Sequence, residues 1–177
     1  MPPALTASDR DELVPVHLRA VPVPLAAKSR RHREELLRVF AFLVADAIET
    51  GTKGSGNEVP VRLLDVYLAL TQQFAGLNDE AERILTDAID SGVETIDDLV
   101  IELPQEAADI MRSVAETLDE ADYYCWSGNE LLDLATPDDC LAYRRWCISQ
   151  ILDQLSGRHP VRWPDSAAAR SLHPRLN

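Results

Sequence analysis

The sequence predicts a mainly α fold: a single-domain helical bundle of about five helices with one or two short extended segments. Three observations lead there. Apolar residues recur at helical spacing in several separate stretches. Prolines and acidic residues stand where those stretches begin, and glycines stand where several of them end. A chain of 177 residues can also bury one core without disulfides or metals. The strongest stretch is TPDDCLAYRRWCISQILDQLSG, residues 136–157. Thr136 can N-cap a helix, Pro137 suits its first turn, and Asp138 and Asp139 complement the positive end of the dipole. Leu141, Ile148, Ile151, Leu152 and Leu155 fall on roughly one face, and Gly157 is placed to end the helix. This is the expected closing helix, against which the others bury their stripes.

Residues 1–24 carry Pro2, Pro3, Pro15, Pro22 and Pro24 without a sustained period. They predict a flexible N-terminal arm, extended on the body only over Val21–Leu25. The bundle is expected over residues 25–157. Its first helix, from about Ala26 to Thr50, begins polar (KSRRHREE) and turns apolar almost all round (LLRVFAFLVADAI), as a helix surrounded by others does. Leu36, Leu37, Phe40, Leu43, Val44, Ala47 and Ile48 are its expected core. GTKGSGNE (51–58) reads as a flexible connection. It is not a phosphate loop, because Lys53 precedes the later glycines and a helix rather than a strand comes before it.

Pro60 opens a second helix to about Ala75, with Leu64, Tyr67, Leu68, Thr71 and Phe74 on one stripe. Asn78 is placed to cap DEAERILTDAID, whose inner face is Ala81, Ile84, Leu85, Ala88 and Ile89, and Gly92 ends it. Leu99–Leu103 is a short apolar run stopped by Pro104, so it reads as extended. Pro104 is expected to begin a long fourth helix lined by Ala107, Ile110, Met111, Val114, Leu118, Ala121 and Cys125. LVIELPQEAADIMRSVAETL and LLDLATPDDCLAYRRWCISQIL share one plan, an apolar piece, a proline, an acidic turn and an amphipathic helix. The two apolar pieces are therefore expected near one another. Residues 158–177 read as a loose C-terminal tail, arginine-bearing and unanchored beyond Trp163.

Composition narrows the function. The net charge is −13, and residues 41–139 alone carry 23 acidic and four basic side chains, a net of −19. Such a middle repels phosphate backbones, so nucleic-acid binding is disfavoured except through the basic ends, and much of the charge is expected to be a solvated face. No basic-plus-apolar leader is evident, and the longest apolar run, Val39–Ala45, falls far short of the roughly 20 residues of a membrane span. Three cysteines make no disulfide framework, which favours a reducing, cytoplasmic setting. Cys140 and Cys147 are seven apart, a spacing of packing thiols rather than of redox or zinc motifs. The four histidines form no ligand cluster, and no nucleophile elbow, dinucleotide turn or paired-carboxylate motif stands out. No cofactor, metal or catalytic residue is expected.

Two clusters are candidate interface or pocket residues. Tyr123-Tyr124-Cys125-Trp126 spans more of a helix than one buried stripe. Its aromatics either pack on a neighbouring helix or anchor an interface, where tyrosine and tryptophan are enriched. Arg144-Arg145-Trp146 poses the same choice: the arginines pair with the acidic fourth helix while Trp146 wedges between elements, or they meet an acidic partner or an anion. The basic KSRRHR (28–33) is a similar case, with the acids of its own fold as the simpler partner.

LPQEAADIMRSVAETLDEADYYC, then LLDLATPDDCLAYRRW, resembles a group of helical proteins from high-GC bacteria, with RRHREELLRVF fitting their first helix. Fifteen arginines against two lysines agree with such a source. That group resembles companions of the partner-switching systems that control sigma factors, in which anti-sigma kinases and their antagonists are regulated by binding. The resemblance covers about residues 20–165 and implies a regulatory binding role without catalytic residues. The chain has no asparagine box or DxGxG segment of the kinase itself. The leading expectation is therefore a non-enzymatic regulatory module that binds another protein, such as an anti-sigma factor or its antagonist, without membrane or nucleic-acid contact; self-association stays open. The alternative is a small-molecule-binding or enzymatic bundle with a pocket between the last two helices, lined by Tyr124, Trp126, Arg144 and Trp146.

Overall fold

A computed structural model describes residues 13–50, 58–73, 78–127 and 134–172. In chain order they form strand β1 (Leu13–Pro22), helices α1 (Val23–Thr50), α2 (Glu58–Gln73) and α3 (Asp79–Asp90), strand β2 (Thr95–Pro104), and helices α4 (Ala107–Ser127) and α5 (Asp138–Leu155). A 3-10 turn, Trp163–Asp165, and a short helix α6 (Ala167–Leu172) follow. The protein is a mainly α single domain with one two-stranded antiparallel sheet.

Helix α5 is the hub. It packs on β1, α1, α4 and α6, so it buries more than the single face that its leucines and isoleucines mark. Cys140, Ala142, Tyr143, Trp146, Gln150 and Gln154 are buried along with Ile151 and Leu155. Its start follows helix-entry chemistry only in part. Asp138 and Asp139 occupy the first turn, but the capping position is Pro137, without a side-chain cap. Gly157 ends the helix in the left-handed conformation (φ +79°) open to glycine at little cost.

Three apolar clusters run along the molecule. One joins Leu18, Val21 and Leu99 of the sheet to Ala26, Ala81, Tyr143, Trp146, Trp163 and Ala169. The second joins Val16 and Leu103 to Ala107, Met111, Ile151 and Leu155. The third holds Leu36, Phe40, Leu63, Ala121 and Cys125 where α1, α2 and α4 meet. As α4 and α5 run antiparallel, the start of α4 meets the end of α5 in the second cluster.

Several expectations are corrected. The N-terminal arm is not an arm from Leu13 onward. Residues 13–22 form a strand with fully buried Val16 and Val21, and Val23 is already helical. VPVHLRAVP alternates as a strand must, and Pro15 is tolerated because its missing N–H faces the outer edge of β1. The ladder breaks once, between Arg19↔Asp98 and Val21↔Ile96, where Ala20 sits at φ +55°. The extended run near Leu99 is ten residues long and pairs with β1, about 80 residues earlier; Leu131 to Asp133 of its expected neighbour lie outside the described residues. Pro104 closes that strand, and α4 starts at Ala107.

The tail is anchored as well. Trp163 and Ala169 are buried, and Ser166 accepts the Ala169 amide at the start of α6. Among the described side chains of α2, Pro60 and Leu63 are buried, while Leu68 is exposed. The apolar half of α1 is not fully enclosed, since Phe42 is 70% exposed. The arm's first twelve residues, most of the glycine-bearing connection (51–57), Phe74 and residues 128–133 and 173–177 lie outside the described residues, as do the side chains of Ala47, Ile48 and Thr71. Among the described residues no helix is long and apolar enough to cross a membrane.

Candidate functional site

The aromatic segment at the end of α4 divides by helical phase. Cys125 is buried, and Tyr124 turns inward to meet Phe40 edge-on, with centroids 5.8 Å apart and planes at 83°. Tyr123 and Trp126 point the other way, 75% and 64% exposed. They extend a stripe at three- and four-residue spacing through Glu116 and Asp119, all of it solvent-facing. Arg145 of α5 lies beside the stripe, its guanidinium 3.9 Å from Asp119.

Arg144 and Trp146 have internal partners. Trp146 is 2% exposed, and its indole N–H donates to the Val161 carbonyl at 3.1 Å. It packs against Tyr143 and Trp163 with centroids 5.8 and 5.5 Å away, so three aromatic rings seal α5 to the C-terminal turn. Gln150 supports the same turn by accepting the Val161 amide at 2.7 Å. Arg144 donates to Asp122 Oδ2 at 2.5 Å and to Asp119 Oδ1 at 3.1 Å. Tyr124, Trp126, Arg144 and Trp146 therefore face four different surroundings rather than lining a common pocket. A shallow recess of about 610 Å³ does exist, but it is lined by Pro24, Leu25, Lys28, Asp138, Asp139, Trp163 and Leu172.

A polar chain that sequence reasoning missed continues from Arg144. Thr136 donates its hydroxyl to Asp122 Oδ1 at 2.5 Å, and His32 Nε2 lies 3.1 Å from the same hydroxyl oxygen. Since the threonine proton goes to Asp122, His32 must donate through Nε2. The chain His32–Thr136–Asp122–Arg144 thus ties α1, the turn before α5, α4 and α5 together. Its members come from RRHREE, LATP, LDEAD and RRW. Thr136, expected as a helix cap, serves here instead. This is not a nucleophile triad: the carboxylate takes the hydroxyl proton directly, and the imidazole is a donor rather than a base.

Burial chiefly lowers the pKa of His32 below the ordinary 6.5, against the opposing pull of Asp122 and Glu35, while Arg144 and Lys28 add to the lowering. The folded state then binds a proton less readily than the unfolded chain. Stability from this group is complete above the unfolded value near 6.5 and is lost as pH falls through it toward the folded value. We expect His32→Gln to flatten the fall in stability as pH drops below about 6.5, in urea titrations run against the parent protein.

The remaining candidates are quiet. Lys28 pairs with Asp139 at 2.6 Å, and Arg30 pairs with Glu34 at 3.2 Å and Glu82 at 3.5 Å, so these two KSRRHR residues meet acids of their own fold. Burial pushes the Cys125 thiol up to about 11 and the Cys147 thiol up to about 12, which suits packing rather than thiolate chemistry. Among the described residues no group of three or more histidine, cysteine or carboxylate side chains is placed to hold a metal. Fold and site together describe a mainly α domain with an exposed aromatic stripe beside a self-neutralised charge network. Comparison with protein-family models, curated proteins and solved structures finds no match.

Proposed function

We propose that this chain is a non-enzymatic regulatory module that binds another protein through the exposed end of α4. One observation carries the reading: Tyr123 and Trp126 stand side by side in solvent, whereas Tyr124, Tyr143, Trp146 and Trp163 all pack inside or partly inside the fold. Exposing two large rings on one face has no folding benefit, and such residues dominate binding energy when a partner desolvates them. Glu116 on the same stripe favours a partner that sets a basic side chain beside its apolar contact patch, while Asp119 is already met by Arg144 and Arg145. The sequence resemblance supplies the class of partner, an anti-sigma factor or its antagonist in the cytoplasm, which makes the role one in transcription control.

The test uses the full chain and a Tyr123→Ala/Trp126→Ala variant as parallel baits in extract from the source cells. The proposal expects a stoichiometric partner on the parent and at least about tenfold less on the variant, with equal melting temperatures. Equal recovery by both baits, or nothing recovered by either, contradicts it.

A further inference from the structure

The two-stranded sheet closes one of its edges and, among the described residues, leaves the other without hydrogen-bond partners. His17 donates its amide to Gln154 Oε1 and accepts from Gln154 Nε2, both at 2.9 Å, so a buried side-chain amide acts as a one-residue strand along β1. Those outward bonds make His17↔Val100 a non-hydrogen-bonded pair of the antiparallel ladder. Alternation gives Arg19↔Asp98 and Pro15↔Glu102 the same character. The amides and carbonyls of Asp98, Val100 and Glu102 consequently point away from β1, along the far edge of β2. Among the described residues nothing hydrogen-bonds to them.

From this geometry we propose that the outer edge of β2 receives an extended segment of another protein, added as a third strand and carrying lysine or arginine at alternate positions. Backbone pairing supplies the affinity in such strand addition, and side chains on the facing surface supply the choice of partner. That surface here is Asp98, Val100 and Glu102, all exposed, with Val100 39% open between two carboxylates; Asp98 also lies 2.8 Å from the His17 imidazole Nδ1 of β1, while Glu102 has no ion pair among the described residues. Charge disfavours a second copy as the occupant. A two-fold antiparallel pairing centred on Val100 sets Asp98 opposite Glu102 of the other copy, twice over. Centring on Asp98 or Glu102 sets each of those residues against itself, and like charges directly opposite destabilise a sheet; centring on Leu99 or Ile101 avoids direct opposition but still leaves the carboxylates of the two edges diagonal to one another without a cation between them. A basic strand turns each of these repulsions into a pair. The surface is separate from the α4 stripe and does not depend on it.

The test is residue-resolved amide exchange on the full chain with synthetic heptapeptides, one alternating lysine and valine, the other glutamate and valine. Near saturation the lysine peptide should slow exchange at Asp98, Val100 and Glu102 by about tenfold, and the glutamate peptide should not. An Asp98→Lys/Glu102→Lys variant, altered only at exposed positions, should exchange these preferences. The Tyr123→Ala/Trp126→Ala variant should bind the lysine peptide as the parent does. No protection by the lysine peptide, equal protection by both peptides, protection that appears with protein concentration alone, or loss of binding in the α4 variant would each overturn the proposal.

Discussion

Replacing Trp146 with alanine is expected to destabilise the protein by about 3–5 kcal/mol, the range for removing a large buried aromatic. The indole is 2% exposed, touches Tyr143 and Trp163, and holds the Val161 carbonyl. Its loss opens a cavity and also frees the C-terminal turn from α5. Against a typical stability of about 5–15 kcal/mol, this is a large share of what keeps such a domain folded. Urea denaturation followed by circular dichroism measures it. Trp146→Phe should recover a substantial part, because it keeps a ring in the cluster while losing the N–H donor. An alanine variant within about 0.5 kcal/mol of the parent, as for a surface change, contradicts the role given to this side chain.

The second large effect concerns Arg144 and Asp122, whose side chains are 14% and 16% exposed. Arg144→Met leaves the Asp122 carboxylate half-buried with only Thr136 to satisfy it, and should cost about 2–3 kcal/mol. Asp122→Leu alone removes the nearer of the two carboxylates on Arg144, leaving Asp119 at 3.1 Å, and takes away the acceptor of the threonine hydroxyl, so it should cost somewhat less. The double variant should lose clearly less than the sum, since neither charge is then left unpaired. A double-mutant cycle by urea denaturation reads the coupling, and strictly additive losses would show that the two groups do not act as a pair. The more exposed Arg145–Asp119 pair, at 3.9 Å, should by comparison contribute under about 1 kcal/mol.

What the sequence makes legible follows physical range. Helices α3, α4 and α5 are written locally, in the spacing of Ala81–Ala88, Ala107–Cys125 and Ile148–Leu155 and in the glycines at 92 and 157, so they form where periodicity places them. Strand β1 is not written locally. Its alternating stretch is short and carries Pro15 and Pro22, residues that argue against a strand, and its partner is about 80 residues away, so neither its length nor its burial follows from neighbouring residues. The C-terminal turn depends in the same way on Trp163 finding Trp146 and Tyr143.

The candidate site divides along that line. Arg144 pairing with the acidic fourth helix is readable from charge and helical phase. The contribution of His32 is not, because the imidazole reaches Thr136 only when α1 crosses the start of α5. Which of the four adjacent residues Tyr123 to Trp126 face water also depends on where Phe40 lands. Periodicity alone leaves that open.

Aromatic side chains divide between core and recognition surface, and iodide quenching of tryptophan emission tests that division most directly. The chain has three tryptophans, of which Trp126 is open to solvent while Trp146 and Trp163 are buried. The iodide-accessible emission should belong to Trp126, disappear in Trp126→Phe, and be shielded when the binding partner is added. Quenching that persists undiminished in Trp126→Phe would place a supposed core tryptophan in water and contradict the account.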